Sequence, residues 1–163
     1  MKAHSLPALA AVVLGVGIAA SNLHAQSIPL KQCPEPVVRT IQDQLGPGRV
    51  DKIKKIQIEG RVLYLVKIDL PGRRDRRLHI GGDGILLKTT DKIRFEDLPP
   101  AVRQALEPFL AARGRFDEAA RVTASDQTEY HVEIDLPGGV DLHLVIGENG
   151  EILRRFEDAG VSA

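Results

Sequence analysis

The chain has 163 residues, one cysteine and no tryptophan, and its 22 Lys and Arg balance 22 Asp and Glu. One cysteine excludes an intramolecular disulfide, so the fold must hold by packing. An aromatic content of 4% argues against a nucleic-acid platform, which stacks bases on rings. The length allows one domain or two small ones.

Met1 and Lys2 open the chain, an apolar run follows from Leu6 to Ala20, and a small residue stands at Ala25. This order predicts a secretory signal peptide over residues 1–25, and the run is short for a membrane-spanning helix. The only membrane contact expected is through this segment before cleavage, and the expected compartment is the bacterial periplasm. Cys33 follows Leu30, Lys31 and Gln32. That context lacks the small residues that precede a lipidated cysteine, so Cys33 reads as a partly buried apolar residue.

A helix is predicted from Pro34, since proline is tolerated in a first helical turn. Val37, Ile41 and Leu45 recur at every fourth residue, one face of that helix, and the sequence GPG at Gly46 ends it. Strands are predicted at 50–59, 62–70, 76–80 and 85–93. Tyr64, Val66 and Ile68 alternate with Leu65, Lys67 and Asp69, the pattern of a half-buried antiparallel strand. A second helix opens at Pro99 with Val102, Leu106 and Leu110 on one face, ends at Gly114, and contains Pro108, which should distort it. Strands at 116–125, 129–136, 142–146 and 151–156 follow. The dipeptides at Asp83-Gly84 and Asn149-Gly150 signal two-residue hairpin turns.

The chain repeats itself. The stretch YLVKIDLPG from Tyr64 returns as YHVEIDLPG from Tyr130, seven of nine residues being identical, and the 66-residue offset also carries Asp75 onto Asp141 and Leu78 onto Leu144. With an offset of 65 the helix from Pro34 matches that from Pro99. The expected fold class is therefore α+β, as two tandem repeats at residues 33–97 and 98–158. Each is a helix packed on a four-stranded antiparallel sheet, with Tyr64 and Tyr130 in equivalent core positions. A unit of about 65 residues is marginal alone, so the two should pack on each other. Charge divides between them. Residues 26–97 hold 15 Lys and Arg against 10 Asp and Glu, a net +5, while residues 98–163 hold 6 against 12, a net −6.

Leu98, Pro99, Val102, Leu106, Tyr130, Val132, Ile134, Asn149 and Gly150, with Pro34, Val37, Ile41, Tyr64, Val66, Ile68, Asp83 and Gly84 before them, form a pattern that resembles the PepSY-like, β-lactamase-inhibitor-like repeats of exported bacterial proteins. Cys33 stands where that pattern has leucine. The resemblance implies periplasmic, non-catalytic binding modules, some of them inhibitors of proteases or of β-lactamase. It supplies no inhibitory loop that matches residues here.

Catalytic chemistry has little to stand on. The chain contains no GxGxxG, GxSxG, HExxH or P-loop, and Cys33 has no evident base or cation to lower its pKa. No enzyme activity, cofactor or metal is expected. Asp69, Asp75, Asp135 and Asp141 flank the two Pro-Gly turns. They could bind a hard cation, but turn chemistry accounts for aspartate there. His131 and His143 share a face with Glu133 and Asp135. They could hold zinc, but a His–carboxylate pair on a solvated sheet is the simpler reading. Arg73, Arg74, Arg76 and Arg77 crowd one hairpin tip, which suits an acidic partner or a merely solvated loop.

The candidate partner-binding residues are Lys67, Asp69, Arg73, Arg74, Arg76 and Arg77 in one half, and His131, Glu133, Asp135 and His143 in the other. The expected function is a secreted, non-catalytic module that contacts or inhibits an unidentified envelope protein through an open sheet face, with no nucleic acid involved. The alternative is a periplasmic small-ligand or metal sensor modulating a membrane system. Strand register should set Asp69 opposite Arg77 and Asp135 opposite His143, since like charges directly opposed are unfavourable. The exported chain should begin near Gln26. Intact-mass measurement on protein from the native host checks this, and membrane-bound material retaining residues 1–25 would contradict it.

Overall fold

Proline positions both helices. Helix α1 (Glu35–Leu45) starts after Pro34 and helix α2 (Pro100–Ala111) after Pro99, each with a further proline in its first turn, where a missing N–H leaves no bond unmade. Val37 and Ile41 of α1, and Val102 and Leu106 of α2, are fully buried. Helix α2 runs through Pro108 to Ala111 rather than breaking there. Only the last turn loses a bond, and Phe109 and Leu110 stay packed on the core. The structure, a computed structural model, describes residues 24–159. Residues 1–23, most of the expected signal peptide, lie outside the described residues.

The strands are β1 (His24–Ser27), β2 (Arg49–Ile58), β3 (Arg61–Leu70), β4 (Arg74–Gly81), β5 (Leu86–Ile93), β6 (Arg115–Ala124), β7 (Gln127–Leu136), β8 (Val140–Gly147) and β9 (Ile152–Ala159). They form a single nine-stranded antiparallel sheet in chain order. This corrects the expected fold class of two tandem repeats, each a helix on its own four-stranded sheet. Strand β5 pairs directly with β6, from Thr89 opposite Thr123 to Ile93 opposite Ala119. Two separate sheets would each have left an edge of unpaired backbone groups at this point, and the β5–β6 ladder removes both. Strand β1, paired with β2, was not predicted and includes His24 and Ala25.

Alternation divides every strand between two faces. Two apolar clusters lie on the same face as the helices. One gathers Val37, Ile41, Ile53, Tyr64, Val66, Ile68, Leu78 and Ile80. The other gathers Leu98, Val102, Leu106, Ala119, Tyr130, Val132, Ile134, Leu142, Leu144 and Ile146. Full burial of such side chains stabilises by about 1.5–3 kcal/mol each before entropy is counted. Tyr64 and Tyr130 occupy matching places, at 3% and 6% exposure.

Between the clusters lies the one buried charged side chain among the described residues, Asp91. Arg76 of β4 grips it with two bonds, Nε to Oδ1 at 2.6 Å and Nη2 to Oδ2 at 3.1 Å, and Arg121 of β6 adds Nη2 to Oδ2 at 2.8 Å. Arg76 also donates to the Gln44 carbonyl at the end of α1, at 3.0 Å. Burial alone would raise the Asp91 carboxyl, but bonds and charge from the two guanidiniums outweigh it and hold the group below the usual carboxylate range.

Turn geometry overrides two expectations. Leu70 lies opposite Arg74 and Leu136 opposite Val140, so each Pro-Gly loop has three residues. Positive φ falls at Gly72 and Arg73 in one loop and at Gly138 and Gly139 in the other. That length sets Lys67 opposite Arg77, Asp69 opposite Asp75, Glu133 opposite His143 and Asp135 opposite Asp141. The predicted register is therefore wrong by two residues, because loop geometry fixes hairpin register and the opposed like charges find other partners. Two-residue turns occur instead at Glu59-Gly60 and Ser125-Asp126, where both central residues have positive φ. At Asp83-Gly84 only the glycine does. A Cβ there would lie 2.6 Å from Pro36, and one at Gly150 would lie 2.6 Å from the Ala101 carbonyl oxygen. Both glycines let a loop tip press on the first turn of a helix, and Thr40 ties the first tip down by donating to the Gly84 carbonyl at 2.6 Å.

Replacing Asp91 by alanine should destabilise by about 3 kcal/mol, the low end for breaking a buried ion pair, because Arg121 is about half exposed. Urea midpoints check this. The sign with pH follows from the lowered carboxyl. Its contribution is full above the unfolded value of about 3.9 and is lost as pH falls through the lower folded value. The Asp91→Ala variant should therefore lose less stability than wild type on acidification below about pH 4.

Candidate functional site

The face without helices is the candidate site. Because Val66 and Ile68 point to the core, Lys67 and Asp69 point to this open face, and pairing carries Arg77 and Asp75 onto it. The like charges opposed by the turn are neutralised sideways. Lys67 Nζ lies 3.1 Å from Asp51 and 3.4 Å from Asp69, Arg49 lies 3.2 Å from Asp69, and Arg77 lies 3.1 Å from Asp75 of its own strand. The hydrogen bond to Asp51 is the main cause that raises the Lys67 ammonium above its ordinary value.

The arginine cluster does not act as one patch. Arg73 sits in the loop with φ of 58°. Arg74 lies opposite Leu70, on the helix side of the tip, and donates to the Pro71 carbonyl at 3.4 Å. Arg76 is on the helix-covered face and committed to Asp91. Only Arg77 joins Lys67 on the open face.

In the other half the sequence set does come together. His131, Glu133, Asp135 and His143 all lie on the open face of β7 and β8. His143 stacks on Phe156 of β9, centroids 4.7 Å apart and planes 13° from parallel. Its Nδ1 lies 3.7 Å from Glu133 and its Nε2 3.5 Å from Asp158. His131 contacts Glu129 at 3.4 Å, and Arg115 pairs with Asp135. Burial pushes the Glu133 carboxyl up, the nearby His143 pulls the other way, and Glu118, Asp117 and Asp141 push it further. A depression of about 360 Å³ runs over Glu118, His131, Glu133, His143, Val145 and Phe156.

Sequence reading missed Phe156, Asp158, Asp117 and Glu118. The first two needed the β8–β9 ladder, which sets Phe156 opposite His143. Asp117 forms, and Glu118 follows, a bulge after Phe116 that interrupts alternation. Asp117, Glu133 and Asp135 bring carboxylate oxygens within 4.8 Å of one another. Arg115 already supplies positive charge to that group through Asp135. Among the described residues this face presents charged side chains and the stacked His143–Phe156 pair.

At the far end of the first half, Ile58, Ile85 and Leu87 are 39%, 59% and 49% exposed. They line a groove of about 860 Å³ with Leu63 and Arg61. Their clustering depends on the β2–β3 and β4–β5 ladders and was not legible in local sequence.

No protein-family model matches the chain, and no curated protein matches it. Solved structures share its fold. A BLIP-like protein from Bacteroides fragilis is 18% identical with a TM-score of 0.61, over 83% of this chain and 92% of that one. A DUF2874 family protein from Bacteroides uniformis is 17% identical with a TM-score of 0.61, over 77% and 89%. A proposed periplasmic protein from Bacteroides eggerthii is 16% identical with a TM-score of 0.63, over 80% and 93%. At this identity the likeness is one of fold, and it matches the BLIP-like side of the resemblance drawn from the sequence.

Glu133 gives a test of the site's electrostatics. Its folded carboxyl is raised, so its favourable contribution is present below the unfolded value of about 4.3 and lost as pH rises through the folded value. At neutral pH the ionised group is a cost. Glu133→Gln should therefore raise the melting temperature at pH 7 and leave it unchanged near pH 3. Thermal melts at both values check this.

Proposed function

We propose that this protein is an exported, non-catalytic binding module of the bacterial envelope, and that it contacts or inhibits an envelope protein through its open sheet face. The observation that carries the reading is the division of that face. On strands β2 to β5 Arg49, Lys52, Lys54, Lys67, Arg77, Lys88 and Lys92 outnumber Asp51, Asp69 and Asp75, and on β6 to β9 Glu118, Glu129, Glu133, Asp135, Asp141 and Asp158 outnumber Arg115 and Arg154. Opposed fields of this kind steer encounter and fix orientation more than they add affinity. The groove at Ile58, Ile85 and Leu87 offers the apolar anchor that a charged surface lacks. A periplasmic location is supported by the signal-like start and by a fold shared with the Bacteroides proteins.

The test compares capture by wild type and by a Lys54→Glu, Arg77→Glu variant, both residues being exposed. A periplasmic partner identified by mass spectrometry should associate at least about tenfold more slowly with the variant, and its on-rate should depend on salt. The melting temperature should be nearly unchanged. A partner whose on-rate ignores both the substitutions and salt would place the binding surface elsewhere.

A further inference from the structure

The two halves of the open face are complementary to each other as well as to a foreign partner. They sit side by side in one sheet, joined by the β5–β6 ladder, so beyond the Lys92–Glu118 pair at the seam neither half can fold over to neutralise the other. A second copy can do so. A two-fold axis lying in the plane of the face, and crossing the line between the two charge centres, sets the basic half of each chain on the acidic half of the other. Such a contact is isologous and closes at two subunits.

We infer that the open face packs against the open face of a second copy, sheet on sheet, in this antiparallel charge arrangement. Size permits it. Nine strands at about 4.8 Å spacing span about 40 Å, and strands of eight to ten residues give a face that clears the roughly 800 Å² per partner of a standard interface. The face is not uniformly polar. Ile56, Val122 and Val145 lie on it at 7%, 8% and 4% exposure, with no helix above them. These three are already covered, and Phe156, 51% exposed beside His143 on the same face, is an apolar group left to bury. The contact is electrostatic in origin and weakens with salt. It uses the surface assigned above to a partner, so the two contacts compete, but it is measured on pure protein and fails or succeeds independently of that reading.

Three measurements of mass in solution, by sedimentation or light scattering, test it. Wild type should be dimeric at low ionic strength and dissociate as salt rises, with the dissociation constant increasing at least about tenfold between dilute buffer and half-molar salt. A basic-half variant (Lys54→Glu, Arg77→Glu) and an acidic-half variant (Glu133→Lys, Asp158→Lys) should each be monomeric. Mixed in equal amounts they should form a one-to-one heterodimer, because each reversed half then meets its opposite. A wild type that stays monomeric in dilute buffer overturns the inference. So does a dimer indifferent to salt, and so do folded variants that remain dimeric alone or monomeric when mixed. The salt titration of wild type needs no variant and decides the matter should either variant fail to fold.

Discussion

The seam between β5 and β6 is the constraint on which this architecture depends, and Asp91 is its chemical centre. A buried carboxylate is costly unless it is paired and bonded. Here one guanidinium arrives from the strand on each side, Arg76 from β4 and Arg121 from β6. Arg76 reaches further, to the last turn of α1. One cluster of four groups thereby ties a helix end to three strands contributed by both halves of the chain. Buried ion pairs are weak evidence for net stability but can specify an arrangement, and slippage at either ladder would leave Asp91 without compensation. The repeat breaks at this point. At the offset that carries Tyr64 onto Tyr130, Arg76 falls on Leu142 and Asp91 on Glu157. Leu142 is core and Glu157 is exposed on the edge strand. Charge stands at the seam because the sheet continues there.

Loop geometry outranks pairwise charge in setting register. Directly opposed like charges cost roughly 0.2–1 kcal/mol. A register shift would require a different loop, lost ladder bonds and displaced core residues. The structure keeps the three-residue loops and relieves the repulsion sideways, through Asp51 to Lys67, Arg49 to Asp69 and Arg77 to Asp75. In the second half Asp135, opposite Asp141, pairs with Arg115. Glu133 lies opposite His143, and burial, with Glu118 nearby, raises its carboxyl against the pull of the imidazole. Each half of the open face therefore keeps a net charge, positive on β2 to β5 and negative on β6 to β9, after its local ion pairs are counted.

That imbalance links fold to function. With both helices on one face, the opposite face is a wide surface with no secondary structure over it among the described residues. Its edges are guarded: β1 is only four residues long and β9 carries Arg154, Arg155, Glu157 and Asp158. Short or charged edges disfavour strand addition, which leaves the face rather than the rim as the natural place for contact. A divided electrostatic surface with few free apolar groups suits an interaction that forms fast and is tuned by ionic strength.

Much of this was legible locally. Proline before an i, i+4 stripe gave both helices, and period two gave eight of the nine strands and assigned Lys67, Asp69, His131, Glu133, Asp135 and His143 to one face. These features depend on neighbours within a few residues, so the sequence by itself determined them. What joins to what did not follow. Alternation in β5 and β6 reads the same whether each is an edge or the two are paired, so one sheet could not be told from two. Register turned on the length of two loops whose flanking charges argued the other way. Arg76 looked like a member of a surface cluster because its partners, Gln44, Asp91 and Arg121, lie far off in the chain. Phe156 came to His143 only through the last ladder. Those points belong to the tertiary structure, because they are fixed by hydrogen bonds and burial between segments distant in sequence.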